Sequence, residues 1–221
     1  MGKVAMRVLF FILIANCVVA DESAKLQLLP AEVCQVILVT NESRSAVPAE
    51  VKCLERQGKG WRTAFPPMKA VVGRSGIALA GTKREGDGCT PSGEFPIRTS
   101  FGYAENIATA LDYRQAKDSD LWIDDPKSQD YNRWVQSPTH AASFEHMKRE
   151  DDLYKLGAVI EYNTDPIVPG HGSAIFLHIW SGEGRPTAGC VALAENDVAQ
   201  ILKWLDRSKA PLIRIQSGSA D

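Results

Sequence analysis

One segment of this chain, residues 196–207, brings apolar side chains back at helical spacing, through Val198, Ile201, Leu202 and Leu205. Asp197 and Gln200 fit a capping-box-like start for it, and Pro211 blocks its continuation before a last strand at 212–215. Elsewhere the apolar runs are short and are broken by glycine and proline, of which the chain holds 17 and 12. Runs of that length between such breaks are strands. The expected fold is therefore mainly β, with one substantial C-terminal helix.

The β-branched run at 33–40 and the segment 51–55 are separated by a turn-like 41–48, which suits neighbouring antiparallel strands. Segments 69–72 and 77–80 flank Gly73-Arg74-Ser75-Gly76 as a hairpin-like pair. Residues 81–95 are too rich in glycine for a helix and form a structured loop. Its Gly86-Asp87-Gly88 is not a phosphate cradle, because neither a helix pattern nor a Lys-Ser/Thr pair follows. Residues 101–156 are the least regular part, rich in Tyr, Trp, Asp and Asn. A long excursion of that kind suits a lid or wall over a site; its aromatic residues equally suit pinning it to the core. Asp124 and Asp125 either hold a substrate ammonium group or are simply solvated.

Residues 1–20 have the pattern of a cleaved export signal: Lys3 and Arg7, an apolar 8–14, then Val18-Val19-Ala20. Ile14-Ala15-Asn16-Cys17 is a distorted lipobox, in which Cys17 is the alternative lipidation point. Cleavage would leave 23 of the 25 basic residues against all 27 acidic ones, a formal charge of about −4. That balance gives no footprint for nucleic acid or an anionic membrane surface, and no second hydrophobic span follows. A lead-in at 21–32, one domain at 33–216 and a tail at 217–221 complete the organisation. Four cysteines would survive export, and in an oxidising compartment cysteines tend to pair. Cys34–Cys53 is one possible disulfide; Cys89–Cys190 is another.

Residues 170–190 concentrate the chemistry. The run 174–180 has the character of a buried strand carrying His178, followed by a turn at 181–186 and then Thr187-Ala188-Gly189-Cys190. A strand histidine can face a cysteine at the end of the next loop. The imidazole would accept the thiol proton, and the backbone N–H groups of Gly189 and Cys190 would serve a developing oxyanion. Thr187 would shape the loop or touch substrate. His140, His146 and His171 lack zinc-ligand spacing, and Glu145-His146 has no second histidine four residues on. No metal or other cofactor is expected.

Thr187-x-Gly189-Cys190 after Phe176-Leu177-His178, with Thr90-Pro91-Ser92-Gly93-Glu94-Phe95 earlier, resembles the L,D-transpeptidase catalytic domain family of the YkuD type. Glu161-Tyr162-Asn163 and the run 172–180 resemble a less-studied branch of it. The resemblance spans roughly 33–215. It implies a β-sandwich fold, export to the periplasm or cell envelope, and a role in cell-wall biogenesis and cell shape. The partner implied is the peptidoglycan stem peptide. By that analogy Cys190 and His178 are catalytic, a backbone carbonyl orients the imidazole, and a thioester forms as the terminal D-alanine leaves. A second amine then resolves the thioester into a 3–3 cross-link or another attachment. Water would instead make the chain an L,D-carboxypeptidase or an endopeptidase. Arg185, Trp180 and Asn163 are further expected substrate contacts. The family's usual Arg two residues after the cysteine is Ala192 here; Arg185 or Arg84 either replaces it or is a solvated loop charge. In papain-like peptidases the cysteine precedes the histidine, the reverse of this order. A catalytically idle cell-wall binding domain, its Cys190 locked in a disulfide, is the remaining alternative.

Overall fold

The computed structural model describes residues 26–218. The expected export signal at 1–20, the alternative lipidation point Cys17 and the last residues of the tail lie outside them. Fourteen strands are present among the described residues. The first seven are β1 (Gln35–Asn41), β2 (Pro48–Gln57), β3 (Gly60–Thr63), β4 (Met68–Val71), β5 (Gly93–Pro96), β6 (Thr99–Gly102) and β7 (Asp112–Gln115). The others are β8 (Asp120–Ile123), β9 (Trp134–Gln136), β10 (Phe144–His146), β11 (Leu156–Val159), β12 (Phe176–Ile179), β13 (Val191–Leu193) and β14 (Leu212–Ser217). The C-terminal helix runs Glu195–Trp204.

Eleven strands make one sheet, ordered β5-β14-β1-β2-β4-β13-β12-β11-β6-β7 with β3 added on β2. The sheet curls around its main core. Ile37 and Val39 of β1, Val51 of β2, Leu177 and Ile179 of β12, Ala158 of β11 and Ile213 of β14 all meet there. Val198, Ile201, Leu202 and Leu205 fill the same space from the C-terminal helix and the residue after it. The Glu161 N–H donates to Pro96 O at 3.0 Å, tying the end of β11 to β5 across the curl. The expected mainly β fold with one substantial helix is the fold observed.

Three expectations change. Cys34 and Cys53 are free thiols. The strands pair antiparallel as expected, but Cys53 stands opposite Ile37 and faces the core, whereas Cys34 lies three residues earlier and hydrogen-bonds to Ala31 O. Residues 77–80 do not pair with β4, which lies between β2 and β13; Ile77 instead bridges Thr90 in parallel. The helix begins at Glu195 behind Ala194, without a side-chain cap, so Asp197 falls inside the first turn.

The excursion at 101–156 is less irregular than its sequence suggests. It carries β7, and β8, β9 and β10 form a separate three-stranded sheet, ordered β10-β8-β9. Both readings of its aromatics meet in one place. Phe101, Trp122 and Tyr154 stack edge-on against Phe176 of β12. This second cluster, on the side of β12 away from the main core, also contains Cys190.

Candidate active site

Successive side chains of a strand point to opposite faces. In β12, Leu177 and Ile179 enter the main core, so Phe176 and His178 face the excursion. In β13, Val191 and Leu193 enter the main core, which leaves Cys190, just before the strand, on the excursion side as well. The two strands run parallel, with Leu177 opposite Val191 and His178 opposite Ala192. Cys190 therefore follows the register beside Phe176, whose N–H donates to Cys190 Sγ at 3.4 Å. His178 lies two residues along on the same face. Both side chains line one cavity of about 390 Å³, and both are nearly buried, at 6% and 5% exposure.

The cysteine loop is held from two sides. Thr187 Oγ1 donates to Cys190 O at 2.7 Å and accepts the Gly189 N–H at 3.1 Å. Thr90 Oγ1 donates to the same carbonyl at 3.3 Å and accepts the Gly73 N–H at 2.8 Å. Thr90 is thus the residue by which the Thr-Pro-x-Gly-x-Phe loop supports the cysteine. Gly189 permits the close approach: a Cβ there would lie 3.0 Å from Cys89 O. Of the two expected oxyanion donors, the Gly189 N–H is occupied by Thr187. The Cys190 N–H has no acceptor among the described residues and remains available.

His178 Nδ1 lies 2.7 Å from Ile179 O. A carbonyl only accepts, so Nδ1 carries the proton and Nε2 is the basic nitrogen. The orienting group is therefore this backbone carbonyl. Burial depresses the His178 pKa from 6.5 to about 4. Burial likewise raises Cys190 from 9.0 to about 12, with Glu145 adding to the rise and the Phe176 N–H offsetting part of it. The pair at rest is neutral thiol and neutral imidazole. The thiol donates to Ala174 O at 3.3 Å, so it must turn before its proton can pass to Nε2. Ala174 is held at φ 53° by its own N–H bond to Asn132 Oδ1, an uncommon conformation for a residue with a Cβ.

The other expected residues divide. Trp180, Arg185 and Thr187 line the cavity. Asn163 does not; its side chain donates to Val168 O and Gly172 O and accepts the Val168 N–H, closing its own loop. Arg84 is likewise occupied by Gly81 O and Lys83 O. Asp124 reaches the cavity, whereas Asp125 caps Lys127 and Ala142. Ala192 is fully buried opposite His178 and Val71, with no room for the arginine of the family pattern.

Several lining residues had no sequence signal. Tyr154 stacks edge-on to the His178 ring at 5.1 Å and donates its hydroxyl to Glu145. Arg149 sits 5.0 Å over the Tyr154 ring and is forked onto Asp151 at 2.8 and 2.6 Å. Glu85, Lys83 and Ser173 complete that wall. A charged run such as 148–152 looks solvated until the excursion is folded over β12.

A family model for the L,D-transpeptidase catalytic domain (YkuD) matches residues 53–213. Among solved structures, the chain is similar to the helical cell shape determining protein Pgp2 from Campylobacter jejuni, with 17% sequence identity and a TM-score of 0.43. The match covers 85% of this chain and 49% of that one, so this chain spans about half the length of that structure. A comparison with curated proteins found no match.

Proposed function

Because the chain belongs to the L,D-transpeptidase catalytic domain family, we propose that it is a cysteine acyltransferase acting on peptidoglycan stem peptides, with Cys190 as nucleophile and His178 as its base. The observation that carries this reading is the free thiol sharing one sheet face and one cavity with an imidazole anchored through Nδ1 on the Ile179 carbonyl. The pattern of residues 1–20 supports export to the periplasm or cell envelope.

In the proposed reaction the thiol turns toward Nε2, and the imidazole takes its proton as sulfur attacks the stem-peptide carbonyl. Burial keeps His178 neutral at neutral pH, so the Nε2 lone pair is free to take the thiol proton. The tetrahedral oxyanion is received by the Cys190 N–H; one such donor is worth about 3 kcal/mol in a comparable acyl-transfer site. The imidazolium then protonates the leaving amine as the C–N bond breaks, leaving a thioester on Cys190. A second amine attacks the thioester, the C–S bond breaks, and the displaced thiolate recovers a proton from the attacking nitrogen through His178.

Incubating the purified protein with tetrapeptide muropeptides and weighing the products tests this. Dimers lacking one D-alanine are expected. Tripeptides alone would make water the acceptor, and loss of an existing cross-link would make the chain an endopeptidase. No product at all, with a titratable Cys190 thiol, would retire the substrate class.

A further inference from the structure

Glu85, Asp124 and Glu145 line the cavity that also holds the Cys190 thiol. Glu145, in the middle of β10, accepts the Tyr154 hydroxyl on Oε2, and its Oε1 has no hydrogen-bond partner among the described residues. Burial holds the Glu145 carboxyl above its usual range, and Asp124 and Glu85 push it the same way. Both line the same cavity. Asp124 Oδ1 is buried without a hydrogen-bond partner among the described residues. Glu85 accepts from two hydroxyls, those of Tyr131 and Ser173.

Four cations line the cavity; Arg74 donates to Gly86 O, Arg185 holds no ion pair among the described residues, and the other two are already committed. Arg149 lowers the Glu145 pKa through space, but its guanidinium is forked onto Asp151. Lys83 is paired with Asp87 at 2.7 Å. None of the three carboxylates has a Lys or Arg partner within ion-pair distance among the described residues. A buried carboxylate without a cation is unfavourable, and a ligand cation that reaches it gains a charge-assisted hydrogen bond in a poorly solvated place.

We propose that Glu145 is a specificity-determining residue that receives a free ammonium group of the substrate, with Tyr154 positioning its carboxylate and Asp124 and Glu85 supplying further negative charge. The ligand class is a peptide with an unblocked amine near its reacting carbonyl. The assignment rests on the acyl-transfer reading of Cys190 for the identity of that carbonyl. Tyr154 links recognition to chemistry, because the ring that stacks on His178 carries the hydroxyl that fixes Glu145.

The test separates recognition from turnover. Calorimetry on the Cys190→Ala chain compares a tetrapeptide stem bearing a free side-chain amine with the same peptide N-acetylated at that amine. The free amine is expected to bind at least about tenfold tighter, because acetylation leaves buried acids unpaired. Adding Glu145→Gln is expected to bring the ratio to about one by weakening only the free-amine peptide. Tyr154→Phe keeps the carboxylate but removes its anchor, so the preference falls without vanishing; it also serves if Glu145→Gln fails to fold. Equal binding of the two peptides by the Cys190→Ala chain, or a preference that survives Glu145→Gln, would overturn the proposal. Product analysis on the unaltered chain judges the enzyme reading separately. Amine-selective binding without products would sink that reading and leave the role of Glu145 standing.

Discussion

Cys190 is a nucleophile held in reserve. Its sulfur is buried, hydrogen-bonded to Ala174 O and Phe176 N–H, and pushed up to about 12. Without substrate it should therefore be a slow thiol. At pH 8, iodoacetamide is expected to label Cys190 at least about tenfold more slowly than half-buried Cys34 and Cys89, as read by peptide mapping. Labelling at an equal rate would mean that the imidazole already holds the thiol proton. Cys190→Ala should abolish turnover, while loss of the sulfur's contacts costs only about 1 kcal/mol, or a few degrees in Tm. Unfolding of that variant would make the cysteine structural.

At the scale of elements, what matters is how the excursion is latched onto β12. Asn132 does much of this. Its amide donates to Tyr162 O and Asn163 O, and its oxygen accepts Trp122 Nε1 and the Ala174 N–H. Asn132→Ala leaves two buried N–H groups and two part-buried carbonyls without this partner and should destabilise the fold by about 3 kcal/mol or more in urea melts. Because the Ala174 carbonyl meets the thiol, the same change should raise Cys190 reactivity even as turnover falls. The cysteine loop has its own latch. Thr187→Val removes both Oγ1 bonds and should lower kcat by about tenfold or more, with Thr187→Ser restoring most of it. An unchanged kcat in Thr187→Val would mean that the loop is set by Thr90 alone.

For the whole molecule, the buried imidazole links stability to acid. His178 titrates near 6.5 when unfolded and near 4 when folded, so between those values the unfolded chain holds the extra proton. Its contribution is complete above pH 6.5 and is lost as pH falls toward 4, amounting to about 3 kcal/mol. Glu145, held high by burial, works in the opposite direction as pH rises above its ordinary carboxylate range. The informative measurement is thus a difference: urea melts at pH 7 and pH 4.5 should show less acid loss in His178→Gln than in the parent chain. Equal losses would mean that the folded His178 titrates like a solvated histidine.

Periodicity and punctuation were enough to make the chain mainly β with one helix, since both depend on local spacing along the backbone. The order of His178 and Cys190, with Thr187 between them, was enough to suggest their chemistry, because a strand and the loop after it bring them near without help from distant residues. Register and facing were not local. They turned Cys53 into the core and away from Cys34, committed the Gly189 N–H to Thr187, and turned Asn163 into its own loop. The acidic wall lay furthest from view. Asp124 was already a candidate for a substrate ammonium group, but Glu85 and Glu145 are scattered along the sequence as ordinary polar residues, and only the curl of the sheet and the fold of the excursion over β12 bring all three to one cavity.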